Sequence, residues 1–393
     1  MKFNKIILVI NIFFLQSYLI RFHIGNYPTN LQEILIALQI FAFIYAVPFK
    51  EIFATIRKHW VILSLVLLTG ISILTIPAEN SLDMVRHGKF LLFAIILGFI
   101  FIETLKTKEE KEAGIRIMGA GALAFGIFSL IYNLIGLNIT HDNRLLGPMD
   151  AAVYLAFYLT PFFIYFTIKF FEKPKVKINL AYAIALGLLI LATRSMGAIG
   201  GGMLVIFIYF LKRSELPLLN KKASKAAIAL LAIATVVIIF YNKILPTLET
   251  NYSSLDERGE IWQTSSELLK NDKTVALGLG FGQFQEHYQK TADTALGRPP
   301  LDYIVLQPHN IFLLFIFQYG ITGLLFILAC IYMTLRNTLT FKGKPEIQTI
   351  VNFMLLYFFI HGLIDTPFFK NDLMILLVLF MEIALLQPGN KTD

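Results

Sequence analysis

Cysteine is almost absent: the 393 residues hold a single one, Cys330, placed inside an apolar run. That excludes a disulfide framework and a cysteine-ligated metal. Charge is scarce too, at 15% of residues against 56% hydrophobic ones. With mean hydropathy at +0.68, a soluble enzyme is excluded and apolar runs long enough to span a bilayer are expected. There is no metal-ligand spacing, no Gly-x-Ser-x-Gly elbow, no nucleotide loop and no visible internal repeat. No small-residue cleavage site follows the apolar run from Ile6 to Ile20, so that run reads as a retained first span.

What is present is a series of apolar runs at 6–20, 31–48, 60–76, 89–104, 114–136, 150–169, 178–193, 196–211, 226–242, 309–335, 347–364 and 373–387. The expectation is an all-α integral membrane protein of about twelve transmembrane helices, with one long extracytoplasmic loop containing short helices. Three parts follow: residues 1–242 with spans one to nine, residues 243–308 as the loop subdomain, and residues 309–393 with spans ten to twelve. Twelve spans put both termini on one side. Five basic connections fall there too: Lys50/Arg57/Lys58, Lys106/Lys108/Lys111, Lys173/Lys175/Lys177, Lys212/Arg213/Lys221/Lys222/Lys225 and Arg336/Lys342/Lys344. By the positive-inside rule that side is the cytoplasm. The net charge of +8 is therefore a matter of membrane orientation, and no nucleic-acid partner is expected. Short cytoplasmic connections also argue against an ATP-driven pump or a nucleotide-sugar transferase.

The opposite face sorts its cations differently. Six of ten Arg (Arg21, Arg86, Arg144, Arg194, Arg258, Arg298) fall outside, but only six of twenty-four Lys. Topology selection gives no reason for that bias, whereas a planar guanidinium suits phosphate or carboxylate. Six of seven His, all but His59, also fall outside or at the outer edge. Snorkelling and ion pairing account for part of both sets. In the loop, Ser254 and Glu257 fit a capping box ahead of an amphipathic helix through Ile261, Trp262, Leu268 and Leu269. Gly278-Leu-Gly280-Phe-Gly282 has the wrong spacing for a dinucleotide fingerprint and reads as a turn lying close to a neighbour. Gly197, Gly200, Gly201 and Gly202 read as helix packing.

The stretch that organises the chain is Gln307-Pro-His309-Asn310, nine residues, then Gly320-Ile-Thr-Gly323. It closes the long polar loop and opens a membrane helix. Pro308 suits a first helical turn, and a helix N-terminus welcomes anions. Gly320 and Gly323 suit a close helix neighbour.

This pattern resembles the signature of the O-antigen ligase and polymerase superfamily, multi-spanning bacterial glycosyltransferases that act outside the cytoplasmic membrane. Arg144-Leu-Leu-Gly147 resembles the family's Arg-x-x-Gly element, with Asp150 where Asn-rich sequence is usual. Thr193-Arg194-Ser195-x-Gly197 is similar to its Ser-Arg-Gly turn. Arg258-x-x-x-Trp262 with Gly278-x-Gly280 resembles the start of its large loop, Trp262 standing where a ligase-associated pattern has Leu. His361-Gly362-x-x-Asp365 resembles its penultimate-span ending. The matches run from about residue 140 to 370. A protein O-glycosylating relative would carry a larger C-terminal extracytoplasmic region.

The resemblance implies a glycan linked to undecaprenyl pyrophosphate as donor, a lipid or glycan as acceptor, surrounding membrane lipids, no cofactor and no metal. It implies Arg194 and Arg258 on the pyrophosphate, Arg144 as a third cation, and catalysis on the outer face of the cytoplasmic membrane. Histidine is the residue type suited to take the acceptor proton, and His309 is the candidate, or it orients the acceptor alone. Asn310 caps the helix or orients substrate, and Asp365 and His361 line the same space. The expected function is an O-antigen ligase-like glycosyltransferase. A polysaccharide polymerase of the same superfamily and a lipid-linked glycan flippase are the alternatives. Ionisable residues gathered on one face favour chemistry over alternating access.

Overall fold

The computed structural model describes residues 2–25, 27–137, 144–213, 254–341, 343–366, 368 and 370–386. The span expected at 226–242 and the side chain of Ser254 lie outside the described residues.

Among the described residues the regular structure is helical apart from one antiparallel hairpin, Arg21–Ile24 paired with Tyr27–Asn30. Before it run α1 (Lys2–Phe13) and a 3-10 turn, Leu15–Leu19. The first span was expected to reach residue 20. Its helix stops at Phe13, and the following turn buries Gln16 and Ser17, with Gln16 donating to Asp372 at 3.4 Å. Polar groups that find a partner inside the protein have no reason to extend a lipid-facing helix.

After the hairpin come α2 (Leu31–Ala46), α3 (Phe49–Ile56), α4 (Trp60–Thr75), α5 (Ser81–Thr104), α6 (Lys108–Leu134), α7 (Ala152–Glu172), α8 (Lys177–Ala192) and α9 (Met196–Arg213). The polar loop contributes α10 (Ser254–Leu268), α11 (Asp272–Leu277) and α12 (Phe284–Leu296). The chain then enters α13 (Ile311–Thr340), α14 (Ile347–His361) and α15 (Asn371–Leu385).

Five described helices (α5, α6, α7, α9 and α13) are long and apolar enough to cross a membrane, or six if α2 and α3, bent by 106° to each other, count as one span. The apolar helices α4, α8 and α14 are shorter. Sixteen residues rise about 24 Å, less than a hydrocarbon core of about 30 Å. Several expected spans therefore fall on helices too short to qualify by length. Charged ends nonetheless sort as alternation requires. Lys5 pairs with Glu110 and Lys108 with Glu346 at one end, whereas Lys89 pairs with Glu33 and Lys290 with Glu79 at the other.

The centre is α7, α14 and α15, whose side chains are buried almost throughout. A helix apolar on every face belongs inside a bundle. Here α15 lies along α5, and α14 lies against α7, α9, α13 and α15. The turn between α14 and α15 therefore emerges at the middle of one end of the bundle.

The loop is tied to a break in α13. Gly320 sits at φ 64° and ψ −156°, and a Cβ there would stand 2.2 Å from the Ala276 carbonyl oxygen of α11. Only glycine fits that backbone at that distance. A broken helix frees carbonyls, and two at the break find partners: Leu279 N–H donates to Phe317 O and Ser72 Oγ to Gln318 O, each at 2.7 Å. Gly278, at φ 89°, brings the loop backbone against Phe317. The Gly-alternating turn thus lies close to a neighbour, and that neighbour is α13. Ile261, Leu279, Phe284, Tyr288 and Ala292 close a small apolar core against Ile316 and Phe317.

Candidate functional site

The start of α13 is sewn to the turn after α14. Asn310 caps α13, its Oδ1 accepting from the N–H of Phe312 at 2.9 Å and Leu313 at 3.2 Å. Its Nδ2 donates to Leu363 O at 3.0 Å, and Ile311 N–H donates to Gly362 O at 2.7 Å. Asn310 is thus the cap, and Pro308 stands before the helix instead of in its first turn. Asn is favoured there because its side chain meets N–H groups that lack a helical partner.

This join presents His309 to Asp365. His309 Nδ1 lies 2.8 Å from Asp365 Oδ1, and Arg258 Nη2 lies 3.1 Å from Oδ2. Thr366 N–H also donates to Oδ1, at 2.9 Å. The carboxylate is 3% exposed, Arg258 20% and His309 32%, so the acid is enclosed while both partners reach the surface. Burial alone would raise the Asp365 pKa. The His309 hydrogen bond and charge, with the charges of His361 and Arg258, outweigh it and hold the acid at about 2. Since a carboxylate only accepts, the proton between them sits on His309 Nδ1, and Nε2 is turned away from Asp365.

Arg258 and Trp262 stand four residues apart on one face of α10. Trp262 Nε1 donates to Pro308 O at 3.1 Å, so the helix that supplies the guanidinium also steadies the residue before His309.

Arg194 lies in the turn between α8 and α9, exposed, with its N–H donating to Leu191 O at 3.0 Å. Gly197, three residues on, has no side chain because His361 Nε2 would stand 2.5 Å from its Cβ and Ile364 Cδ1 2.9 Å away. The Arg194 turn thereby abuts the segment that carries Asp365. Arg144 is exposed beside the same turn: Leu145 N–H donates to Ala192 O at 3.0 Å, and Asn133 holds both Arg144 O and Gly147 N–H. His361 is 1% exposed, bonded through Nδ1 to Tyr357 OH at 2.7 Å and stacked on Phe157 at 4.4 Å.

Contacts thus bring Arg258, His309, Asn310 and Asp365 together, with His361 beneath them. Arg194 and Arg144 approach through neighbouring backbone. Among the described residues, only Arg194 (φ 51°) and His309 (φ 50°) have positive φ without being glycine. Side chains larger than glycine's meet steric resistance there, and such strain collects at working sites. No spacing rule could have found this, nor Trp262 as the support of Pro308. Among the described residues no group of three or more His, Cys, Asp or Glu could hold a metal ion.

Residues 180–328 match the family model described as O-antigen ligase. The match includes Arg194, Arg258, His309, Asn310 and Gly320, and ends before His361 and Asp365. No curated protein matches the chain.

Proposed function

From the premise that residues 180–328 carry the domain of the O-antigen ligase superfamily, we propose that the protein is a membrane glycosyltransferase of ligase type. It moves a glycan from an undecaprenyl-pyrophosphate donor to a lipid or glycan acceptor at the outer face of the cytoplasmic membrane. The observation that carries this reading is Asp365 held between Arg258 and His309, a base candidate and an anion-gripping fork fixed by one buried acid.

In the transfer, the acceptor hydroxyl oxygen bonds to the anomeric carbon. The bond from that carbon to the pyrophosphate breaks, and the pyrophosphate leaves with the electron pair. Arg258 and Arg194 offset the departing charge, with Arg144 as a third cation. His309 Nε2 receives the hydroxyl proton or orients the hydroxyl. Asn310 fixes the start of α13, and Asp365 fixes the imidazole and the guanidinium in relation to each other. His361 supports that arrangement from below.

The twelve-span arrangement and the division at 242/243 and 308/309 belong to the same proposal. It is supported by the helices at eleven of the twelve expected positions, the first of them only in part. The expected independence of metal belongs here too, and transfer should survive EDTA.

One feature favours a transporter: α13 is broken at Gly320, as transporter helices often are. The freed carbonyls, however, are taken by Leu279 and Ser72, so the break is filled by protein. The test is reconstitution of the purified chain with an undecaprenyl-pyrophosphate oligosaccharide and a lipid acceptor. A capped acceptor supports the ligase and a lengthened donor glycan the polymerase. Translocation without a new glycosidic bond overturns both.

A further inference from the structure

Far from Asp365, at the end of the bundle that holds the N-terminus, α2 and α3 form a feature that glycan transfer does not use. The chain turns by 106° between α2 and α3. The apolar residues Phe49, Ile52, Phe53 and Ile56 of α3 follow the i, i+3, i+4, i+7 spacing of one helical face. No residue of α3 is fully buried: Ile52 and Ile56 pack against the core, while Phe49 and Phe53 are 60% and 68% exposed. Beside the bend lies an open cleft of about 550 Å³ lined by Phe3 of α1 and by Leu38, Phe41, Ala42, Ile44 and Tyr45 of α2. Phe41 and Tyr45 are among its most exposed walls, at 74% and 94%.

Cations frame this apolar ground. Lys2 opens α1 next to Phe3, Lys50 stands in the first turn of α3, and Arg57 and Lys58 follow its end. All four are exposed. Glu51 is the one acid from 49 to 58, which leaves a net charge of +2 (Lys50, Arg57 and Lys58 less Glu51). Lys5 is committed to Glu110. An amphipathic helix with basic residues on its polar side lies in the plane of a membrane interface and draws anionic lipid.

We propose that this corner is a seat for an anionic phospholipid of the leaflet on the N-terminal side. One acyl chain occupies the cleft between α1 and α2, and the headgroup meets Lys2, Lys50, Arg57 and Lys58. The seat anchors the bundle end and is independent of the glycosyltransferase reading.

The test uses the full chain with Cys330→Ala and Tyr45→Cys, a fluorophore on the new thiol, in vesicles of phosphatidylcholine doped with spin-labelled lipid. Spin-labelled phosphatidylglycerol should quench at a several-fold lower mole fraction than spin-labelled phosphatidylcholine. Excess inorganic phosphate should leave that difference in place. Lys50→Gln, Arg57→Gln and Lys58→Gln combined should abolish it. Equal quenching by both lipids in the parent, or a preference that survives the triple substitution, overturns the proposal. So does absence of quenching together with disulfide cross-linking between copies of the unlabelled Tyr45→Cys protein, which would mean that a second chain covers the cleft.

Discussion

His309 Nδ1 and Asp365 Oδ1 stand 2.8 Å apart although 56 residues separate them in sequence. The bond joins the residue before the cap of one long helix to the turn that follows another. It also sets the imidazole tautomer, because the buried acid can only accept. Five expectations can be checked at the bench.

Replacing Asp365 by Asn removes the charge while keeping the shape. Turnover should fall about 10²-fold or more, within the range of a general acid–base contribution. His309→Ala combined with Asp365→Asn should cost little beyond His309→Ala alone, because the two act as a unit. Additive losses would separate them. The Asp365 pKa is lowered to about 2, so its stabilising effect is complete above the unfolded value and fades as pH falls toward 2. An acid limb of activity at higher pH belongs to another group.

Arg194→Lys and Arg258→Lys keep charge and lose the fork, and each should cut turnover about 10²–10³-fold. Arg194→Gly should abolish the same contribution while stability holds or rises by about 1 kcal/mol. Relief of left-handed strain there outweighs the entropy that glycine adds to the unfolded chain. Thermal unfolding in detergent reads the second effect. A large loss of stability on Arg194→Gly would make the residue structural.

Gly320→Ala puts a methyl group 2.2 Å from Ala276 O at a positive φ. A destabilisation of about 3 kcal/mol or more is expected, from strain and overpacking together. Gly136→Ala, with open space around it at φ 75°, should show the backbone strain alone and serves as the comparison. Similar melting temperatures for the two proteins would sink the idea that α11 docks at the break.

His59, fully enclosed, sits between Glu382 at 2.5 Å and Glu103 at 3.2 Å, at the bundle end away from Asp365. Burial opposes its charge, but the hydrogen bonds to Glu103 and Glu382 and their charges raise its pKa to about 9. The stabilisation is therefore complete below the unfolded value near 6.5 and is lost as pH rises through about 9. Melting temperature should drop across that window in the parent and stay flatter in His59→Gln.

Orientation is open to labelling in a Cys330→Ala background. Gln289→Cys on α12 and Lys175→Cys between α7 and α8 are both exposed positions. An impermeant thiol reagent should reach the first and not the second in intact spheroplasts. The opposite pattern would invert the topology.

Some of this was fixed by composition and order alone. Long apolar runs must be satisfied as helices in lipid, so their positions are legible from hydropathy. The basic connections give an expected orientation by the membrane rule, and the polar residues 254–308 carry the short helices expected of a loop. Asn310 was readable as a cap because capping is a local matter between a side chain and the next turn. The tertiary structure decided the rest. Gln16 ended the first helix early because its partner, Asp372, lies hundreds of residues away. Asp365 meets His309 and Arg258 because the turn after α14 reaches the start of α13 there, a contact with no sequence period. The left-handed backbones of Arg194 and His309 are imposed by the packing around them. Local preference would have put each in an ordinary conformation, and only a surrounding structure strong enough to oppose it holds them as they are.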